Sequence, residues 1–202
     1  MIRVGHVIYK ADDLDQAVAE FRAEGFDVEY GRARNPRNAV IYFSAGPYLE
    51  IISRVSMPGF VRGYLKLIGQ GRMVAVSDSV ASRRQGYSRI VLEAQREQFA
   101  DLKRIYQRHG LKTLVSPISR RDLHGRRLSC TCLVPDDWGV PMFVTPFGVD
   151  IHRDSAHPNG ITQIAEVFFA GSQAAAGVCQ QAGVEDRLKV GSGDGTISVR
   201  FA

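Results

Sequence analysis

Two ionisable residues sit inside apolar runs where a core strand seldom carries any: His6 in "RVGHVIY" and Glu50 in "YLEII". A carboxylate taken out of water needs a cation, a metal ion or a proton beside it. Glu50 is therefore expected to touch His6, a charged partner such as Arg3 or Arg89, or an ion. Period-2 alternation puts His6 and Glu50 on one face if Val7 and Leu49/Ile51 turn to the other. A fixed cation at Arg89, in "YSRIVLEA", would suit a carboxylate ligand, because its planar fork matches two oxygens. Asn38 leads a strand out of a turn, as a cap or as a further polar group of the site. His157, in "HPNG", either belongs to a turn or lines the same pocket. Cys130 and Cys132 form a C-x-C pair on a strand, with Cys179 as the third thiol. No framework spacing or second C-x-x-C accompanies them, so they read as reduced core or half-buried thiols in a cytoplasmic protein. No Ser-His-Asp arrangement, glycine-rich phosphate loop or H-E-x-x-H motif occurs.

The elements that must position these residues recur along the chain. "IRVGHVIY" reads as a strand, and Asp12 or Asp13 caps a helix whose apolar positions are Leu14, Ala17, Val18 and Phe21. Gly25 fits the left-handed position at its end. A short strand near Asp27 to Tyr30 follows, then the turn-rich "GRARNPRN" and the strands "AVIYFSA" and "YLEIIS", which gives β-α-β-β-β. The same order returns in "YSRIVLEA", a helix with Phe99, Leu102 and Tyr106 on one face, Gly110, and the strands "TLVSPIS", "RRLSCTCLV" and "PMFVTPF". A third pass begins at "ITQIAEVFF", passes a helix from Ser172 to Gly183, and stops one strand short. The expected organisation is a first module over 1–53, an inserted helical or linker segment over 54–86, a second module over 87–148, a linker over 149–160 and a partial third module over 161–202. Within the insert, "GFVRGYLKLIG" reads as an amphipathic helix with Phe60, Tyr64, Leu65 and Leu67/Ile68 on its apolar side. "GRMVAVSDSVASRRQG" is ambiguous.

The composition of 202 residues, 45% hydrophobic and 23% charged, suits one large or two small globular domains. No apolar run approaches the ~18 residues of a membrane span, and the N-terminus lacks the pattern of a signal peptide. The net charge of +5 comes from arginine clusters in predicted turns rather than along one face. That pattern speaks against nucleic acid and for solvated loops or the rim of an anion-binding pocket.

Paired β-α-β-β-β modules with "GHVIYKADDLDQAVAEFRAEGF", "NAVIYFSAGPYLEII" and, more loosely, "HPNGITQIAEVFF" resemble the vicinal oxygen chelate superfamily, in particular its glyoxalase-like branch. The resemblance implies an α+β fold in which the repeated modules form one cupped mixed sheet. It also implies one divalent metal ion (zinc, nickel, manganese or iron) held by a histidine of the first strand and a glutamate of the fourth. His6 and Glu50 stand at those positions, with Glu50 also as the catalytic carboxylate and Arg89, His157 and Asn38 as substrate-binding residues. The second module departs from the pattern: Ser88 or Arg89 stands in place of a second histidine, and Phe143, Val144 or Thr145 in place of a second glutamate. Loop histidines (His124, His152 or His157) or a partner subunit complete the metal site, or there is none. The implied function is a small-molecule enzyme of lyase, isomerase or dioxygenase type acting on a small anionic substrate. A non-catalytic sequestering protein of the same fold is the alternative. An exposed edge on the partial third module would be covered in a homodimer.

Overall fold

Asp13, not Asp12, starts the first helix: its carboxylate accepts the N–H of Gln16 at 2.9 Å, while Asp12 pairs with Lys10. The computed structural model describes residues 1–53, 57–81, 84–185 and 187–202. The first module is β1 (Arg3–Lys10), α1 (Leu14–Ala23), β2 (Glu29–Tyr30), β3 (Asn38–Ile41) and β4 (Tyr48–Ile52). Two helices follow, α2 (Gly59–Leu67) and α3 (Gly71–Ala81), so the ambiguous part of the insert is helical. The second module is β5 (Gly86–Glu93), α4 (Phe99–Arg108), β6 (Thr113–Arg121), β7 (Arg127–Pro135) and β8 (Met142–Val144).

Among the described residues the two modules share one curled eight-stranded mixed sheet of order β2-β3-β4-β1-β5-β8-β7-β6. Each module runs its first strand parallel to its last, and β1 and β5 meet antiparallel at the centre. Alternation along the strands separates the two faces. On the helix side Val7, Leu49, Ile51, Ile90 and Leu92 join Phe21, Leu102 and Tyr106 in the main core. On the other side Ile8, Val91, Cys132 and Val144 form a second apolar cluster in the hollow of the sheet.

The third segment, β9 (Ile164–Gly171), α5 (Gln173–Ala182), β10 (Leu188–Ser192) and β11 (Thr196–Phe201), makes a separate sheet of order β10-β9-β11. Its element order repeats that of the modules, but its strand order does not. The strand after the helix lies directly beside β9, parallel to it, whereas in each module that strand lies at the far edge. The small sheet packs on the helix side, where Ile164, Val167, Phe169 and Val178 belong to the main core. Aromatic contacts fix the join: Phe26 lies 5.2 Å from Phe201 and Phe43 lies 5.9 Å from it.

Gly25 shows why a glycine ends α1. Its φ is +84°, and a Cβ there would stand 2.8 Å from that of Asn159. Asn159 uses the space to donate from its amide to Glu24 O at 2.9 Å, which ties the linker to the end of the helix. The insert is less committed. Of the apolar side of α2 only Leu65 is buried, with Met73 and Val74 of α3, while Phe60 is 81% exposed and Leu67 84%.

Candidate functional site

The hollow holds a cavity of about 150 Å³ whose lining includes His6, Tyr48, Glu50, Arg120, Cys130 and Val144. Parallel pairing of β1 with β4 sets His6 beside Tyr48 and Ile8 beside Glu50, so the histidine and the glutamate are diagonal neighbours. His6 Nε2 lies 3.5 Å from Glu50 Oε2. The other carboxylate oxygen accepts from the Asn38 amide at 2.8 Å, across the β3–β4 pair. Tyr48 stacks on the His6 ring with centroids 4.4 Å apart and planes at 15°. The imidazole is thus held between an aromatic face and a carboxylate.

Burial on its own would raise the Glu50 carboxyl, but His6, Asn38 and the nearby Arg120 outweigh it and hold the group below the usual carboxylate range. Tyr48 moves the other way: burial, reinforced by the Glu50 charge, pushes its phenol well up. Arg120 reaches this region from β6, where it pairs across to Leu128 of β7 and is followed diagonally by Cys130. An outer cleft of about 610 Å³ shares Tyr48, Glu93 and Phe147 with the cavity and is lined as well by Arg3, Asp150 and Arg187. Tyr48 and Phe147, 6.4 Å apart and near-parallel, stand between the two spaces.

Asn38 joins the pair through its bond to Glu50, although it does not itself line the cavity; Arg89 and His157 neither line the cavity nor touch Glu50. Arg89 is 4% exposed beneath the β7–β8 turn, its guanidinium 4.5 Å from the Trp138 ring centroid and its Nη2 3.4 Å from the carbonyls of Asp137 and Val140. Burial brings its pKa down to about 10. His157 lies between Phe26 and Phe43, at 5.3 and 5.1 Å, and its Nδ1 accepts the Asp27 N–H at 3.1 Å. The cation beside Glu50 is Arg120. Counting alternate residues back from Arg120 through Ile118 and Ser116 would have aimed it at the pocket, but only with the face of β6 already known.

Burial, followed by the Arg153 charge, lowers the His157 pKa below its usual 6.5, with Asp27 opposing. The folded chain thus favours neutral His157 more than the unfolded chain does. Its contribution to stability is complete above about pH 6.5 and is lost as pH falls from there through the folded value. Urea titrations at a series of pH values should therefore show His157→Phe losing less stability than wild type on acidification. Parallel curves would contradict this.

His6 and Glu50 could donate to a divalent metal. However, among the described residues no group of three or more His, Cys, Asp or Glu side chains is placed to hold one. Both Glu50 oxygens already have partners. The strands of the second module bring Glu93, Cys130, Cys132 and Met142 to the cavity wall, but Glu93 is paired with Arg3. His124 pairs with Glu29 and His152 with Asp150, so neither loop histidine completes the set. These residues do not fit a metal held by one chain alone.

The family model described as a glyoxalase-like domain matches residues 4–182. Among solved structures, a hypothetical protein from Staphylococcus aureus superposes with a TM-score of 0.56 at 15% identity, covering 89% of this chain and 74% of that one. The Mn(II)-bound glyoxalase from Novosphingobium aromaticivorans superposes with a TM-score of 0.54 at 13% identity, covering 100% of this chain and 64% of that one. A search of curated proteins finds no match. At these identities the likeness establishes the fold alone.

Proposed function

The chain belongs to the glyoxalase-like domain family, and from that premise we propose that it is a small-molecule enzyme that removes a proton beside the carbonyl of a small carboxylate. The observation that carries this reading is the contact of His6 with Glu50 in one cavity with Arg120, the carboxylate being held from behind by Asn38. Glu50 is the base. Its lowered pKa keeps it ionised through the neutral range, and a ligand that displaces the remaining water raises its basicity at the moment of transfer. His6 and Asn38 orient the carboxylate, and Tyr48 fixes the imidazole by stacking. Arg120 holds the anionic group of the substrate and lies where negative charge would develop. Ile8, Leu128, Met142 and Val144 accept an apolar side chain. In this reading Arg89 and His157 support the walls and do not touch the ligand.

One observation favours a second reading, a sequestering protein of the same fold. Both oxygens of Glu50 are satisfied within the protein and the walls are apolar, which suits binding without turnover. The two readings share the prediction for Arg120. Calorimetry with 2-oxo carboxylates from pyruvate to phenylpyruvate should find binding that strengthens with side-chain length. Arg120→Gln should weaken it by about 10–100-fold, as expected from losing a charged hydrogen bond of about 1.5–3 kcal/mol. Equal affinity in the variant would remove Arg120 from the site.

A further inference from the structure

The lining of the cavity includes two thiols that the proton-transfer reading does not use. Cys130 is half-buried and Cys132 buried, and both are reduced. They stand two residues apart on β7 and so face the same side of the sheet. The two thiols are unequal. Contact with Cys132 draws the Cys130 thiol below its usual range, helped by Arg120 and opposed by burial and by Glu50 and Glu93. The Cys132 thiol moves up, through the same contact and its own burial. Cys179 belongs to the helix-side core, where burial pushes it to about 12. The half-buried thiol on the cavity wall is therefore the one best disposed to ionise.

The surroundings of Cys130 define what could reach it. Ile118 is its cross-strand partner on β6, and Arg120 is the diagonal neighbour one step further along the same face. Leu128, Met142 and Val144 supply apolar wall in the same cavity. A cation, an apolar surface and a thiol are thus arranged within one small space, whose two carboxylates already have partners: Glu50 in His6 and Asn38, Glu93 in Arg3.

We propose that Cys130 is a nucleophile through which the cup forms covalent adducts with small carbon electrophiles that bear an anionic group, the anion held by Arg120. For an α,β-unsaturated carboxylate, the thiolate sulfur forms a bond to the β carbon. The π electrons move to the α carbon, which takes a proton from solvent, and nothing is oxidised or reduced. Cys132, the more deeply buried thiol, remains protonated. The proposal does not depend on Glu50 acting as a base.

Iodoacetate and iodoacetamide test it on the intact chain at neutral pH and low salt. In either reaction the sulfur displaces iodide: a C–S bond forms and the C–I bond breaks. Peptide mapping should find the first label on Cys130, with Cys132 and Cys179 unlabelled while the protein stays folded. The rate ratio of iodoacetate to iodoacetamide, referred to the same ratio for N-acetylcysteine, should rise by about 5–10-fold through attraction to Arg120. Arg120→Gln should return that ratio to the value of the free thiol, and Cys130→Ser should abolish labelling. If circular dichroism shows either variant unfolded, the wild-type map and rate ratio decide alone. Label on Cys179 at a comparable rate, an unlabelled Cys130, or an Arg120→Gln ratio equal to that of wild type would each overturn the proposal.

Discussion

Glu50→Gln should slow proton exchange at the carbon beside the carbonyl of a bound 2-oxo carboxylate by about 10²–10⁴-fold, the contribution of a positioned general base. The glutamine side chain keeps the size of the glutamate and can still accept from Asn38, so the cavity keeps its shape. What disappears is the only carboxylate that touches both His6 and Asn38 among the described residues. Exchange is read as loss of the C–H signal by proton NMR in deuterium oxide. Because the fold holds the Glu50 carboxyl below its ordinary range, the ionised group contributes to stability at neutral pH, and the substitution should cost some stability there while the protein stays folded and the rate falls far more. A rate lost only in proportion to unfolding would instead mark Glu50 as a structural group.

The largest effect on stability is expected at Phe43. Its side chain is 1% exposed and meets Phe26 at 6.3 Å, His157 at 5.1 Å and Phe201 at 5.9 Å. It therefore packs against the first module, the linker and the last strand of the small sheet at once. Phe43→Ala should cost about 3–5 kcal/mol, the range for emptying a buried aromatic site. Urea unfolding would show this as a lower midpoint. A loss under about 1 kcal/mol would mean that the small sheet is held by its strand contacts alone, since such a value falls below the range for core aromatics.

What could be read in the sequence follows from how local each signal is. The helix ends were legible because Gly25, Gly110 and Gly183 all adopt positive φ, at +84°, +70° and +66°, which a side chain resists. The two β-α-β-β-β orders were legible for the same local reason, since turns and periodicity mark each element. The common location of His6 and Glu50 needed only period-2 alternation and the parallel β1–β4 pair. Arg89 and Arg120 could not be told apart in that way. The pairing of β1 with β5 shifts between Ile8 and Tyr9, next to Arg89, and the turn carrying Trp138 covers its guanidinium. Both facts come from distant parts of the chain. The position of β10 beside β9 is likewise a matter of long-range pairing, which the partial repeat at 161–202 does not encode. The exposure of Phe60 and Leu67 on α2 escaped the amphipathic pattern because periodicity identifies an apolar side without saying whether anything covers it.

The central claim is that Glu50, oriented by His6 and Asn38 and assisted by Arg120, moves a proton without a metal ion. Proton NMR in deuterium oxide tests it most directly, on chelator-dialysed wild-type protein with the same series of 2-oxo carboxylates. The account predicts that the C–H signal beside the carbonyl decays in the presence of this protein, at a rate unchanged by dialysis, and persists with Glu50→Gln. A rate no faster than that of Glu50→Gln for every member that binds would contradict catalysis and leave the sequestering role. A rate that vanishes on dialysis and returns with a divalent ion would contradict the metal-independent site.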